Sequence, residues 1–174
     1  SIDNVTAEEG NSGTKLFNFT VTLTNPVELG VTVNYATADT TAANTDNDYE
    51  PVSGILTFTG TAGETKTISV TVDGDEKVEL DEIFGVNLSN VLVDGSADLN
   101  VTIADASGTG TIQNDDAATV SITNAVEHSE GNSGTTVYEF TVTLSKISDA
   151  DVRVDYATAD GTATTVDGDY TGIS

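Results

Sequence analysis

The sequence predicts an all-β fold: an immunoglobulin-like, seven-stranded antiparallel β-sandwich, repeated in tandem with the second copy incomplete. Three observations point there. Apolar residues alternate with polar ones at period two, no stretch carries an apolar stripe of helical period, and Gly, Asn, Asp and Thr fill the gaps between the alternating runs.

A short first strand is expected around Ile2. In the second, Phe17, Phe19, Val21 and Leu23 alternate with Asn18, Thr20 and Thr22, which puts the apolar set on one face of a pleated strand. Val31, Val33 and Tyr35 mark the third strand, Leu56 and Phe58 the fourth, and Ile68, Val70 and Val72 the fifth. Phe84, Val86 and Leu88 mark the sixth, and the run from Thr109 to Ile112 the seventh.

The chain repeats itself. "EGNSGT" occurs at Glu9 to Thr14 and again at Glu130 to Thr135, and "YATAD" at Tyr35 to Asp39 and again at Tyr156 to Asp160, both at an offset of 121 residues. Gly10–Ser53 aligned without gaps on Gly131–Ser174 gives 23 identities over 44 positions. We therefore divide the chain into a module over 1–116 and the first half of a second module over 117–174. Ser174 is the counterpart of Ser53, so both ends are expected to be cuts in a longer chain. The alternative is a partner that supplies the missing strands by β-augmentation, as in a self-assembling fibre or surface layer.

Composition narrows the partners. With 29 Asp and Glu against 5 Lys and Arg, the formal charge of −24 repels phosphate backbones and anionic membrane surfaces and attracts cations. No cysteine is available for a disulfide or a thiolate metal site, which fits an extracellular or cell-surface protein of bacterial type. No apolar run approaches the length of a membrane span, and any export signal is expected to lie outside this segment.

Strand parity sends the acids to one pole. If seven strands alternate up and down, the loops after strands one, three and five share an end with the exit of strand seven. That end carries Glu8 and Glu9; Asp39, Asp46, Asp48 and Glu50; Asp73, Asp75, Glu76, Glu79, Asp81 and Glu82; and Asp115 and Asp116. The opposite end carries only Glu28, Glu64, Asp94, Asp98 and Asp105. Asp and Asn favour turns for local reasons, so a single acidic loop carries little weight. Four converging loops repel one another unless a cation offsets them, and a hard divalent ion with oxygen ligands does so. Calcium fits best, because magnesium demands a tighter octahedron while zinc and copper prefer imidazole or thiolate, and the chain has one His and no Cys.

Three stretches carry a resemblance. "YATADTTAANTDNDYEP" is similar to a third strand with its following loop, "VDGDEKVELDEIFGVNLSN" to an acidic loop leading into a strand that ends in LSN, and "IQNDD" to a terminal acidic run. Together they resemble the Calx-beta domain, a calcium-binding β-sandwich of sodium/calcium exchangers, integrin β4 and large bacterial surface proteins. The resemblance covers the first module almost end to end and the second over its first half, where "YATADGTATTVDGDY" is closer still to the family's wording. It implies Glu9, Asp39, Asp75, Glu79, Glu82, Asp115 and Asp116 as calcium ligands, with Asp73 as a further one. Asn114 stands where calcium-binding members carry a third Asp, and Gly74 interrupts the first acidic cluster. In the second copy Glu130 and Asp160 match Glu9 and Asp39. Their partners would lie in the missing half, so no intact site is expected there.

Other signals carry less. The four glycosylation-type triplets, beginning at Asn4, Asn18, Asn87 and Asn100, are expected by chance in a chain so rich in Thr and Ser. His128 lacks the neighbours of a catalytic base and is expected at the surface, and Gly10-Asn11-Ser12-Gly13 is turn chemistry. Paired carboxylates alone do not make a glycosidase without an aromatic-lined cleft, and the chain has no Trp. The expectation is therefore a non-enzymatic calcium-binding repeat, a structural or adhesive spacer stiffened by Ca2+ at its inter-module junction. A glycan- or protein-receptor module is the alternative.

Overall fold

The computed structural model describes residues 1–174. Seven strands form the first module: β1 Val5–Glu8, β2 Gly13–Leu23, β3 Val31–Asp39, β4 Ser53–Phe58, β5 Glu64–Gly74, β6 Glu82–Val93 and β7 Ser107–Gln113. Each alternating run of the sequence lies inside one of them. β2 reads exposed-then-buried from Leu16 through Val21, as period two requires.

The strands make two layers. One sheet has the order β1-β7-β6-β3-β4, and the other is the long pair β2-β5, which runs in unbroken register from Gly13 opposite Gly74 to Leu23 opposite Glu64. Between them Phe17, Phe19, Ile68, Val70, Val72, Phe84 and Val86 are fully buried. Phe84 is the hub, with Tyr49 stacked on it at 4.5 Å and Phe17 and Phe19 at 6.0 and 5.9 Å. Gly110 on β7 makes room for that ring, since a Cβ there would collide with the far edge of Phe84.

Two details depart from a purely antiparallel sandwich. Ile2 makes only an isolated bridge to Val21, after which the chain crosses to the other layer and forms β1. There β1 runs parallel to β7, with Val5 opposite Gly110 and Glu8 opposite Gln113. Parity still holds, because strands one and seven both point toward the same pole.

The second copy is different. It holds only β8 Val120–Ile122 and β9 Val142–Leu144, paired antiparallel, and the Val152, Val154 and Tyr156 run forms no strand. All 22 buried residues of the chain lie between Ile2 and Asp116, so this copy has no core. No helix is long and apolar enough to cross a membrane.

Candidate metal centre

Register places the acids where parity sends them. Glu8 faces Gln113, Glu82 faces Ile112, Asp39 faces Phe84 and Gly13 faces Gly74, so the ends of β1, β3, β5 and β7 and the start of β6 share one pole.

A bracket of short contacts draws the loops together there. The Glu9 N–H donates to Gln113 O at 3.2 Å, and the Gly10 N–H to Asp115 Oδ1 at 3.2 Å. Asn114 uses its whole side chain structurally: its Nδ2 donates to Asp116 O at 2.9 Å, and its Oδ1 accepts from Glu79 N at 3.3 Å. Gly74 also has a structural reason. A Cβ there would collide with Gly10 O, so glycine lets the Glu9-Gly10 turn settle on the end of β5.

Two carboxylate clusters result. Glu9, Asp115 and Asp116 bring one oxygen each within 4.8 Å of one another, and so do Asp48, Glu79 and Glu82. In the first, Glu9 and Asp116 are both 7% exposed. Burial pushes the Glu9 carboxyl up to about 7, helped by the charges of Glu79, Asp75, Asp115 and Asp116. In the second, burial and then the hydrogen bond and charge of Asp48 push Glu82 up to about 7, and burial also raises Glu79.

The decisive atom is on Asp116. Its Oδ1 accepts from Lys146 Nζ at 2.7 Å and from Asn11 Nδ2 at 3.2 Å, whereas Oδ2 is buried with no hydrogen-bond partner. An orphaned, buried carboxylate oxygen beside two further carboxylates is a costly arrangement in itself. It fits a hard cation, because all the donors are oxygen and the charge is negative.

The eight sequence-predicted ligands divide three ways. Glu9, Asp115 and Asp116 meet in one cluster, and Glu79 and Glu82 meet in the other. Asp39, Asp73 and Asp75 join neither. The Asp39 carboxylate accepts the hydroxyl hydrogen bond of buried Tyr49 and pins the loop after β3. Asp75 Oδ1 accepts the Lys77 N–H at 2.7 Å, shaping its own turn, and the Asp73 N–H donates to Asp48 O at 3.1 Å. Asp48 is the acid missing from the predicted set, although parity put it at the pole and Asp169 repeats it in the second copy.

Sequence reasoning also passed over two ammonium groups. Lys77 Nζ lies 2.5 Å from Glu79 Oε1 and 2.6 Å from Asp149 Oδ2, contacts that raise the pKa of its ammonium, and Lys146 reaches Asp116 from the second copy. The signal was present in the sequence, since Lys77 is the only basic residue inside the run from Asp73 to Glu82.

A two-layer β-sandwich whose strand ends gather carboxylates at a single pole defines a class of module in which oxygen donors are concentrated at one tip. The chain belongs to the Calx-beta domain family, whose model matches residues 5–110 and 113–174. It is similar to the crystal structure of CBD12 from CALX1.2, with 24% identity and a TM-score of 0.54, covering 66% of this chain and 43% of that one. It is also similar to the calcium binding domain CBD12 of CALX1.1 (23% identity, TM-score 0.53, 66% and 42% covered). A third neighbour is the Apo-form Calx CBD1 domain (23%, TM-score 0.54, 66% and 96%). This chain thus spans less than half of either CBD12 relative, and at these identities the likeness is one of fold. No curated protein sequence matches the chain.

Proposed function

We propose that the first module is a calcium-binding repeat of an extracellular or cell-surface protein, working as a structural or adhesive spacer whose junction with the next repeat is set by the ion. The observation that carries this reading is the buried, partnerless Asp116 Oδ2 next to Glu9 and Asp115. These three residues would hold the ion, with Asp48, Glu79 and Glu82 as a second seat. When bound, calcium supplies positive charge to carboxylates that otherwise retain protons or repel.

The chain's own residues turn that charge into stiffness. Asp115 and Asp116 end the first module, and three residues separate Asp116 from β8. Holding Asp116 to the Glu9-Gly10 turn fixes the root of that linker. Affinities typical of extracellular calcium modules, about 10⁻⁴ to 10⁻³ M, suffice for such a role. Thermal melts with and without calcium test the reading. Asp115→Asn with Asp116→Asn abolishes most of the calcium-induced rise in Tm, which at a hundredfold excess over Kd corresponds to about 2.7 kcal/mol in the parent; an undiminished rise counts against it.

A further inference from the structure

Each carboxylate cluster at the pole contains one lysine ammonium, and both lysines lie on the contact between the two copies. The chain has only 5 Lys and Arg in all. Lys146 Nζ stands 2.7 Å from Asp116 Oδ1 in the first cluster, and Lys77 Nζ stands 2.5 Å from Glu79 Oε1 in the second.

Backbone contacts hold the lysines there. The Val78 N–H donates to Ile147 O at 2.9 Å, and the Asp149 N–H donates back to Val78 O at 3.1 Å. Val78 and Ser148 thereby form a parallel bridge, and Lys77 reaches across it to Asp149 Oδ2 at 2.6 Å. The loop after β9 is thus sewn along the acidic loop between β5 and β6. Lys146 is the residue of that loop that enters the pole.

On Asp116 the lysine and a cation would use different oxygens of one carboxylate. Oδ1 accepts the Lys146 ammonium, while the partnerless Oδ2 is free for a metal. The Asp116 side chain is wholly buried and that of Lys146 is 26% exposed, so two positive charges sharing this carboxylate repel at close range with only part of the repulsion screened by solvent. Repulsion is reciprocal: whatever the ammonium costs the metal, the metal costs the ammonium.

We propose that Lys146 is a tethered counter-ion of the neighbouring module, opposing divalent cations at Glu9, Asp115 and Asp116, so that cation uptake there loosens the docked loop at 145–149. This rests on the calcium reading above and adds a regulatory contact to it. The ion fixes the root of the linker at Asp116, and the sideways contact through Lys146 is given up in exchange. Calcium then selects between two junction arrangements.

The test is calcium titration calorimetry on the whole 174-residue chain and on Lys146→Met, Lys146→Arg and Lys66→Met. Lys66 pairs with Glu64 at the far end of the module, so its removal changes net charge equally without touching the pole. The expected result is tighter calcium binding by Lys146→Met, by about fivefold or more, the lower end of ordinary coupling between sites. Lys146→Arg keeps the parent affinity, and Lys66→Met stays within about twofold because distant surface charges are screened. Nitroxides on cysteines at Thr45 and Ala150, in a chain with no native Cys, give the second readout: calcium lengthens their mean distance in the parent.

Equal affinity in Lys146→Met and the parent overturns the proposal, as does weaker binding, which would make the lysine a supporter of the site. An unchanged distance distribution with calcium bound also overturns it. Absence of calcium binding in every variant would instead overturn the calcium reading of the pole, and the inference with it.

Discussion

Between β3 and β4 the two copies fold alike; in the core they differ. Around the first loop, the Thr37 N–H donates to Val52 O at 2.9 Å, the Ala43 N–H to Asp48 Oδ2 at 2.7 Å, and the Tyr49 hydroxyl to Asp39. Around the second, the Thr158 N–H donates to Ile173 O at 3.0 Å, the Thr164 N–H to Asp169 Oδ2 at 2.9 Å, and the Tyr170 hydroxyl to Asp160 Oδ1 at 2.7 Å. Even the left-handed residue recurs, as Asn47 at φ 65° and Gly168 at φ 77°. Yet Phe19 is wholly buried and its counterpart Phe140 is 56% exposed. The loop closes on side chains near one another in the chain. A core and a cation site need strands brought from across it.

The largest test of that contrast is in the core. Phe19→Ala is expected to cost the first module about 3–5 kcal/mol, and Phe140→Ala less than about 0.5 kcal/mol, by urea unfolding of each variant. Comparable losses would mean that the second copy is packed as the first is.

A smaller effect separates the two tyrosines. Tyr49→Phe removes a hydroxyl bond from a buried tyrosine to the Asp39 carboxylate at the rim of the core, and a loss of about 1.5–3 kcal/mol is expected. Tyr170→Phe removes the same bond near solvent, and its cost stays under about 0.5 kcal/mol. Equal costs in the same urea experiment would show that the loop alone, without the Phe84 stack, sets the strength of that bond.

A third effect is in the pH profile of the pole. Glu9 and Glu82 are each raised from an ordinary 4.5 to about 7 in the folded chain. Between those values the folded state keeps protons that the unfolded chain has released, so without divalent metal stability falls as pH rises from about 4.5 to about 7. Glu9→Gln is expected to flatten part of that fall in Tm measured in chelator. A profile that rises across this window in the parent would reverse the sign and contradict the burial of these carboxyls.

Much of this was legible in the sequence because period two and parity are strong rules. Alternation placed β2 through β7, and it placed the first strand only nearly, since Ile2 makes a single bridge and β1 starts at Val5. Parity placed the acidic loops at one end, because Asp39 ends, and Asp75 and Asp115 follow, odd-numbered strands, whether these pair in parallel or not. Parity gives the end but not the partner. Nothing in spacing shows that Asp39 turns to Tyr49, that Asp75 shapes its own turn, or that Asp48 faces Glu82. Those depend on side-chain direction within a loop, which for Asp39 a buried tyrosine decides. Gly74 and Asn114 look like defects in an acidic pattern; in the fold one permits a backbone contact and the other ties two loops together.

The central claim is that the pole of the first module takes calcium. Calorimetric titration of the chain at neutral pH, with magnesium as control, tests it most directly. The account predicts saturable calcium binding at millimolar concentration or below, with protons released from Glu9 and Glu82 as the ion enters and a much weaker response to magnesium. A flat calcium titration, with no proton release and no change in Tm, would contradict it.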